Sequence, residues 1–268
     1  MRITGQSHIE AFTRKVASRY VAGPLSDLDR GTANRKLSAP LSYWVKRGHV
    51  EANPWHNQAF AKVRKGATTQ DARRPLTDSE VAILIAGDAD QELADLMRVA
   101  ALSGMRIDEP YRIHVADCAD GWFTLRRAKT AAGRRRIPIH SALVEIVARR
   151  TKGESASAFL FHEAGPERAG RERSMAASKR FGHYRKRLGV DETRDGARQS
   201  AVVFASFRNW FITKARAGFD RAVVAAIVGH EAGNITDDVY SGGPPDALRR
   251  ACVESVKLPV AASPNDSL

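Results

Sequence analysis

Cysteine is scarce in this 268-residue chain. The only two, Cys118 and Cys252, stand 134 positions apart. They supply neither a disulfide framework nor a Cys-x-x-Cys metal motif, and they fit a reducing compartment. No window contains 18 consecutive apolar residues, so no membrane-spanning helix is expected. The opening residues M-R-I-T-G-Q-S-H-I-E lack the apolar core of a secretory signal. His230-Glu231 is not followed by the second histidine of a zinc-protease helix. No internal repeat stands out; His-Glu-Ala-Gly occurs at 162 and at 230 with no similarity around it. No metal and no cofactor is expected, and the protein is expected in the cytoplasm.

Acidic residues are also in short supply. Thirty stand against 43 basic ones, a net charge of +13 with an isoelectric point near 10.2. An excess of this size points to a polyanionic partner, of which nucleic acid is the leading class. The apolar fraction of 43% is that of a globular protein, and the length allows two compact domains. Residues 64 to 74, R-K-G-A-T-T-Q-D-A-R-R, carry no large apolar side chain and read as a connection. The expected organisation is a helical domain over 1–66, a linker over 67–74, a larger domain over 75–258 and a disordered tail over 259–268.

The fold class expected is mainly α with a small antiparallel sheet. Ser7 and Glu10 form a capping-box pattern, so Ser7 to Ala22 reads as a helix, with Ile9, Phe12, Val16 and Tyr20 at helical spacing. A second helix is expected from about Thr32 to Arg47, kinked or split at Pro40. Its Arg35, Lys36, Lys46 and Arg47 form a basic face. Thr77 and Glu80 open another helix, and a strongly apolar one runs from about Gln91 to Ser103, ending at Gly104. Trp122 to Arg126 and Arg134 to Ile139 read as a hairpin around Ala131-Ala132-Gly133, with Lys129 near its tip. Further helices are expected at Ser141–Arg150, Ser174–Leu188, Ser206–Ala217, Asp220–Val228 and Asp246–Lys257. The helix from Ser174 is thin in apolar residues and rich in charge (Lys179, Arg180, Arg185, Lys186, Arg187), so one of its faces is expected to meet a DNA groove. Arg134 and Arg135 add to the candidate DNA contacts.

The chemistry concentrates in a stretch from Ala205 to Tyr240. Arg208 lies in an apolar helical setting, Gly229-His230 follows, and Tyr240 comes ten positions later. Arginine clamps phosphate through two parallel bonds, histidine donates near neutral pH, and tyrosine is an oxygen nucleophile. Arg106, just past a helix end, is well placed to be preorganised, and Glu109 is a natural partner for it.

These residues resemble, in composition and order, the tyrosine recombinase (phage integrase) family. Leu102-Ser103-Gly104-Met105-Arg106-Ile107-Asp108-Glu109 is similar to its first arginine box. Lys129 on a hairpin, Ser206-Phe207-Arg208, Val228-Gly229-His230 and Tyr240 follow in the family's sequence. Thr32 to Ser38 and Glu51-Ala52-Asn53-Pro54 resemble its N-terminal core-binding domain. The resemblance covers nearly the whole chain and implies a site-specific DNA recombinase without a metal. It implies a helical core-binding domain joined to a mixed α/β catalytic domain. Arg106 and Arg208 would hold the scissile phosphate, Tyr240 would attack phosphorus, His230 would donate to the same phosphate, and Lys129 would protonate the leaving 5′-oxygen; Glu109 would orient the first arginine. Partners implied are duplex DNA and further copies of the chain, as a tetramer on paired sites; the final helix, 246 to 257, resembles the segment that family members pass to a neighbouring protomer, with packing on its own chain as the alternative.

The sequence departs from the family pattern at Ala205, where a histidine is usual, and alanine can neither accept a proton nor donate a hydrogen bond. Loss of one general acid or base typically costs about 10²–10⁴ in rate. Asn209 also stands where a second histidine is common, and the His230–Tyr240 spacing is one residue longer than the commonest. A DNA-binding or bridging relative without cleavage is therefore a second reading, and a topoisomerase or hairpin-forming resolvase with the same nucleophile a third. A start already inside the core-binding domain suggests a short recombinase or a truncated one.

Overall fold

A computed structural model describes residues 13–26, 28, 30–60, 73–126, 134–165, 172–193, 200–230 and 243–260. The chain divides into two compact units, Met1–Thr69 and Gln70–Leu268.

The regular structure described in the first unit is helical. Helix α1 spans Arg14–Ala22 and is capped by Thr13, whose side chain accepts from the Val16 N–H. The Ser7–Glu10 pattern lies outside the described residues. A short helix α2 (Arg30–Ala33) runs into a π turn at Asn34–Ser38 and then into α3 (Ala39–Lys46). Pro40 accounts for this break. It has no N–H, and in a regular helix its ring collides with the carbonyl four residues back. The wider turn, in which the Ala39 N–H bonds to the Asn34 carbonyl, leaves Pro40 in the first turn of α3, where a missing donor costs nothing. Asn53 fastens the following loop by donating to the Ser38 carbonyl at 2.7 Å and to the Ser42 hydroxyl at 2.7 Å. Among the described residues the buried apolar side chains here are Ala17, Ala33, Pro54 and Phe60. Arg35, Lys36, Lys46 and Arg47 are exposed, beside the exposed rings of Tyr43 and Trp44.

The second unit holds a continuous core. Helix α4 (Asp78–Ala86) begins with a reciprocal capping box: Thr77 accepts from the Glu80 N–H, and the Glu80 carboxylate accepts from the Thr77 N–H at 2.8 Å. Arg74, which composition places in the linker, is bonded into this unit through ion pairs to Glu80 and Glu192. Helix α5 (Gln91–Ser103) is the central element, with Leu93, Leu96, Met97, Val99, Ala100, Ala101 and Leu102 all buried. A three-stranded antiparallel sheet follows, β1 (Cys118–Ala119), β2 (Trp122–Leu125) and β3 (Arg135–Pro138), in the order β1-β2-β3, with Phe123 opposite Ile137 and Leu125 opposite Arg135. Then come α6 (Val144–Thr151), preceded by a 3₁₀ turn at Ser141–Leu143, α7 (Met175–Arg187), α8 (Ala205–Ala215), α9 (Arg221–Val228) and α10 (Asp246–Glu254).

Helix α7 packs one face on the core. Few of its residues are apolar, yet Ala177, Phe181 and Tyr184 are buried. Phe181 meets Phe204 with ring centres 5.2 Å apart, and the Tyr184 hydroxyl donates to the Leu84 carbonyl at 2.9 Å. Two aromatics three positions apart carry enough area to seat a helix whose mean hydropathy is low. Helix α10 packs against α9 and β3 of its own chain. Its Glu254 carboxylate accepts from the Ser141 N–H at 2.6 Å and from the Ser141 hydroxyl at 2.8 Å. The guanidiniums of Arg136, Arg249 and Arg250 all lie over the Trp122 ring, within 5 Å of its centre. No helix among the described residues is long and apolar enough to cross a membrane.

Candidate active site

The site begins where α5 stops. Gly104 caps that helix in the left-handed region, at φ 65° and ψ 17°. A Cβ there would lie 2.6 Å from the Phe211 ring and 2.9 Å from a Val228 methyl, so α8 and the end of α9 approach too closely for any other residue. The α9 helix ends in the same way, at Gly229 with φ 69° and ψ 49°. Two helices thus direct their unpaired C-terminal carbonyls toward one point.

Arg208 occupies that point. It projects from α8 with 5% of its surface exposed. One terminal nitrogen donates to the Gly104 carbonyl at 2.7 Å, and the other to the Val228 carbonyl at 2.6 Å. Helix C-termini carry partial negative charge, which suits a buried cation. Burial, and then the charge of nearby Arg106, push the guanidinium pKa well below its ordinary value, to about 9. A buried cation in that condition favours an anionic ligand.

Arg106 lies two residues beyond Gly104 and is half-exposed. Its backbone N–H donates to Glu109 at 2.8 Å, and its guanidinium donates to the other oxygen of the same carboxylate at 3.2 Å. Glu109 is buried, and it is gripped a second time by Arg135, whose two terminal nitrogens reach its two oxygens at 2.9 and 3.0 Å. Burial alone would raise the Glu109 carboxyl; the Arg135 hydrogen bonds and charge outweigh it and hold the group below its usual range. The Nε of Arg135 donates to the Ile227 carbonyl at 2.6 Å, one residue before the carbonyl that holds Arg208.

His230 follows Gly229, its N–H turned back to the Ala225 carbonyl at 3.1 Å and the residue exposed. Desolvation, followed by the charges of Arg208, Arg106 and Arg135, lowers its pKa, so the imidazole is neutral near pH 7 and can donate from one nitrogen only. Arg106, Arg208, His230 and Glu109 are therefore brought together. Lys129 and Tyr240 lie outside the described residues. Ala205 opens α8, three positions before Arg208, with nothing to offer but a methyl group.

The basic residues divide into two kinds. Arg134, Lys179 and Lys186 are exposed, as are the four of the first unit. Arg135 and Arg185 are not surface groups: Arg135 is committed to Glu109, and Arg185 is buried in an ion pair with Asp191. Arg180 is half-buried and paired with Glu92 and Asp90. The expectation that Arg135 and Arg185 face DNA is corrected accordingly, because a charge already neutralised inside the fold has little left for a phosphate. Arg135 was open to a different expectation. In a strand, alternate residues share a face, and Ile137 belongs to the core, so Arg135 points the same way while Arg134 and Arg136 point out. The carbonyl partners of Arg208 leave no mark in the sequence beyond the two glycines. Among the described residues no group of three or more His, Cys, Asp or Glu is placed to hold a metal ion.

The sequence profile of the phage integrase family matches residues 75–242, more than half of the chain. No curated protein sequence matches it. Among solved structures, the integrase of mycobacterium phage Brujita is similar at 22% identity and a TM-score of 0.53, over 92% of this chain and 79% of that one. A lambda integrase dimer bound to a COC′ core site aligns at 18% identity and a TM-score of 0.57, over 86% of this chain and 65% of that one. The Tn1549 transposon integrase in complex with transposon right-end DNA aligns at 17% identity and a TM-score of 0.56, over 91% and 86%. At these identities the structural likeness speaks for the fold, and the profile match for the family. The chain belongs to the phage integrase family.

Proposed function

We propose, from that membership and from the site the chain builds, that this protein cleaves and rejoins duplex DNA through a 3′-phosphotyrosine intermediate at Tyr240. The observation that carries the reading is the Arg208 guanidinium, buried between two helix C-termini with a depressed pKa and flanked by Arg106 and His230. The Tyr240 oxygen attacks phosphorus, the bond to the 5′-oxygen breaks, and the DNA 3′-end stays attached to the enzyme as a diester. Arg106 and Arg208 offset the charge that grows on the non-bridging oxygens, an effect worth about 10²–10³ per well-aimed donor. His230, neutral before DNA arrives, donates one hydrogen bond to the same phosphate. Lys129 supplies the proton for the departing 5′-oxygen. The proton leaving the tyrosine goes to water or to another base, since Ala205 accepts none. Religation by a 5′-hydroxyl reverses these steps.

The exposed cations of the first unit hold the duplex by its phosphates, and recombination takes place in a tetramer on paired sites. Helix α10 docks on its own chain here, so exchanging it between protomers requires releasing the Glu254–Ser141 contacts first. A second reading has one specific observation in its favour: Ala205 removes a general base, and a relative that binds and bridges DNA without cutting would tolerate that.

A suicide substrate, nicked so that the released 5′-end diffuses away, distinguishes the two. The proposed reaction leaves an SDS-resistant protein–DNA adduct that Tyr240→Phe abolishes. Binding with no adduct, even for Ala205→His, supports the bridging reading. Recombination of two sites, as opposed to relaxation of one circle, sets a recombinase apart from a topoisomerase.

A further inference from the structure

The polar contacts around the site form a closed circuit. The Gly104 carbonyl holds Arg208; Arg208 also reaches the Val228 carbonyl. The neighbouring Ile227 carbonyl holds Arg135 at 2.6 Å, Arg135 holds both oxygens of Glu109, and Glu109 holds the N–H and guanidinium of Arg106, two residues from where the circuit began. We propose that Arg135 is a positioning residue for phosphoryl transfer, which sets the direction of the Arg106 guanidinium through Glu109 and ties strand β3 to the end of α9. This deepens the proposed function and rests on it.

Three observations support the assignment. The Arg135 side chain is 5% exposed, whereas that of Arg106 is 46% exposed, so the inner arginine supports and the outer one reaches. Both terminal nitrogens and Nε of Arg135 have acceptors at good distance, the full fork geometry that lysine cannot reproduce. Glu109, without Arg135, would be a buried carboxylate shared with one flexible partner. Its pKa would then rise toward protonation, and it could no longer accept from both the backbone and side chain of Arg106. Arg135 also opens β3, so the same fork ties the start of that strand to the end of the helix that precedes His230. A group that must be aimed within a fraction of an ångström loses rate steeply when its support loosens.

The test compares Arg135→Lys and Glu109→Gln with the unsubstituted protein, each also made in an Arg106→Ala background, with folding checked by thermal melting. Arg135→Lys is expected to slow adduct formation by roughly 10–10² while the DNA dissociation constant moves less than about 3-fold, because misaiming acts on the transition state. In the Arg106→Ala background the further loss is expected to shrink below about 3-fold, since a residue acting through Arg106 has nothing left to aim. If the full loss persists there, Arg135 acts by another route and the proposal fails. If instead binding weakens as much as the rate, Arg135 is a DNA contact and the proposal also fails. Should the unsubstituted protein give no adduct, the cleavage reading fails by itself, and the circuit is judged by arginine side-chain NMR. An Arg106 Nε–H signal that moves or broadens in Arg135→Lys supports the brace; an unchanged signal refutes it.

Discussion

The cations of the second unit's site and those of the first unit are the same residue types put to opposite uses. Arg208 and Arg135 are buried, each bonded to two or more acceptors within the fold, and helix ends or a carboxylate are spent on holding them. Arg35, Lys36, Lys46 and Arg47 are exposed, and the interactions seen there are slight: Arg35 to the Thr32 hydroxyl at 3.2 Å, Arg47 over the Tyr43 ring at 4.8 Å. A buried, fully bonded cation is costly to desolvate and cannot move to meet a ligand; it acts by being already in place when charge develops. An exposed cation is mobile, screened by salt, and attracts any phosphate. The first kind is suited to chemistry at one atom, the second to affinity along a backbone.

That contrast can be broken from the inner side with the largest effect. Arg208→Lys is expected to lower adduct formation by about 10²–10³ with DNA affinity changed much less. Arg208→Ala should in addition destabilise the fold by about 1–3 kcal/mol for each helix-end carbonyl left unsatisfied, read as a lower melting temperature. If Arg208→Lys weakens binding and rate equally, the division of labour proposed for the two regions is wrong.

The next largest effect tests the gap in the site. Ala205→His restores a titratable group three positions from Arg208, and cleavage should rise by about 10² if the missing base limits the rate. An unchanged rate in a protein that already cleaves would mean that another group or water carries that proton.

Gly104→Ala probes the geometry that holds Arg208. The added methyl meets the Phe211 ring and Val228 in a left-handed backbone, so stability should fall by about 1–3 kcal/mol, with cleavage more sensitive than DNA binding. Replacing Arg35, Lys36, Lys46 and Arg47 by alanine should weaken binding of all sequences alike. The slope of log affinity against log salt should drop by about 0.9 for each phosphate that is no longer neutralised. Loss of cleavage at saturating DNA in that variant would move these residues out of the affinity class.

The smallest effect is a titration. Because burial and four arginines lower the His230 pKa, its contribution to stability is complete above the ordinary histidine value and is lost as the pH falls through the lowered one. A bound phosphate offsets those arginines, so duplex DNA should move the His230 pKa upward in an imidazole NMR titration. A pKa unmoved by DNA would place the phosphate elsewhere.

Much of this was legible in the chain. The Thr77–Glu80 capping box, the apolar run ending at Gly104 and the hairpin strands all rest on local rules, and local rules dominate where propensity, pattern and capping agree. Pro40 announced a break without saying of which kind, since a kink, a split and a π turn all relieve the same clash. The charge count pointed to a polyanion, but it could not separate Lys179, which is exposed, from Arg185, which is buried against Asp191. That distinction depends on packing between elements distant in sequence. The circuit from Gly104 through Arg208, Val228, Arg135 and Glu109 is of the same kind: three of its bonds are to backbone carbonyls, which every residue possesses.

Whether Tyr240 is the side chain that joins to DNA can be read directly. The adduct trapped on a suicide substrate is digested with nuclease and trypsin, and the modified peptide is sequenced by mass spectrometry. Attack by Tyr240 predicts a 3′-phosphonucleotide on that tyrosine, within the tryptic peptide 222–249. A nucleotide on any other side chain, or attachment through a 5′-phosphate, would contradict it.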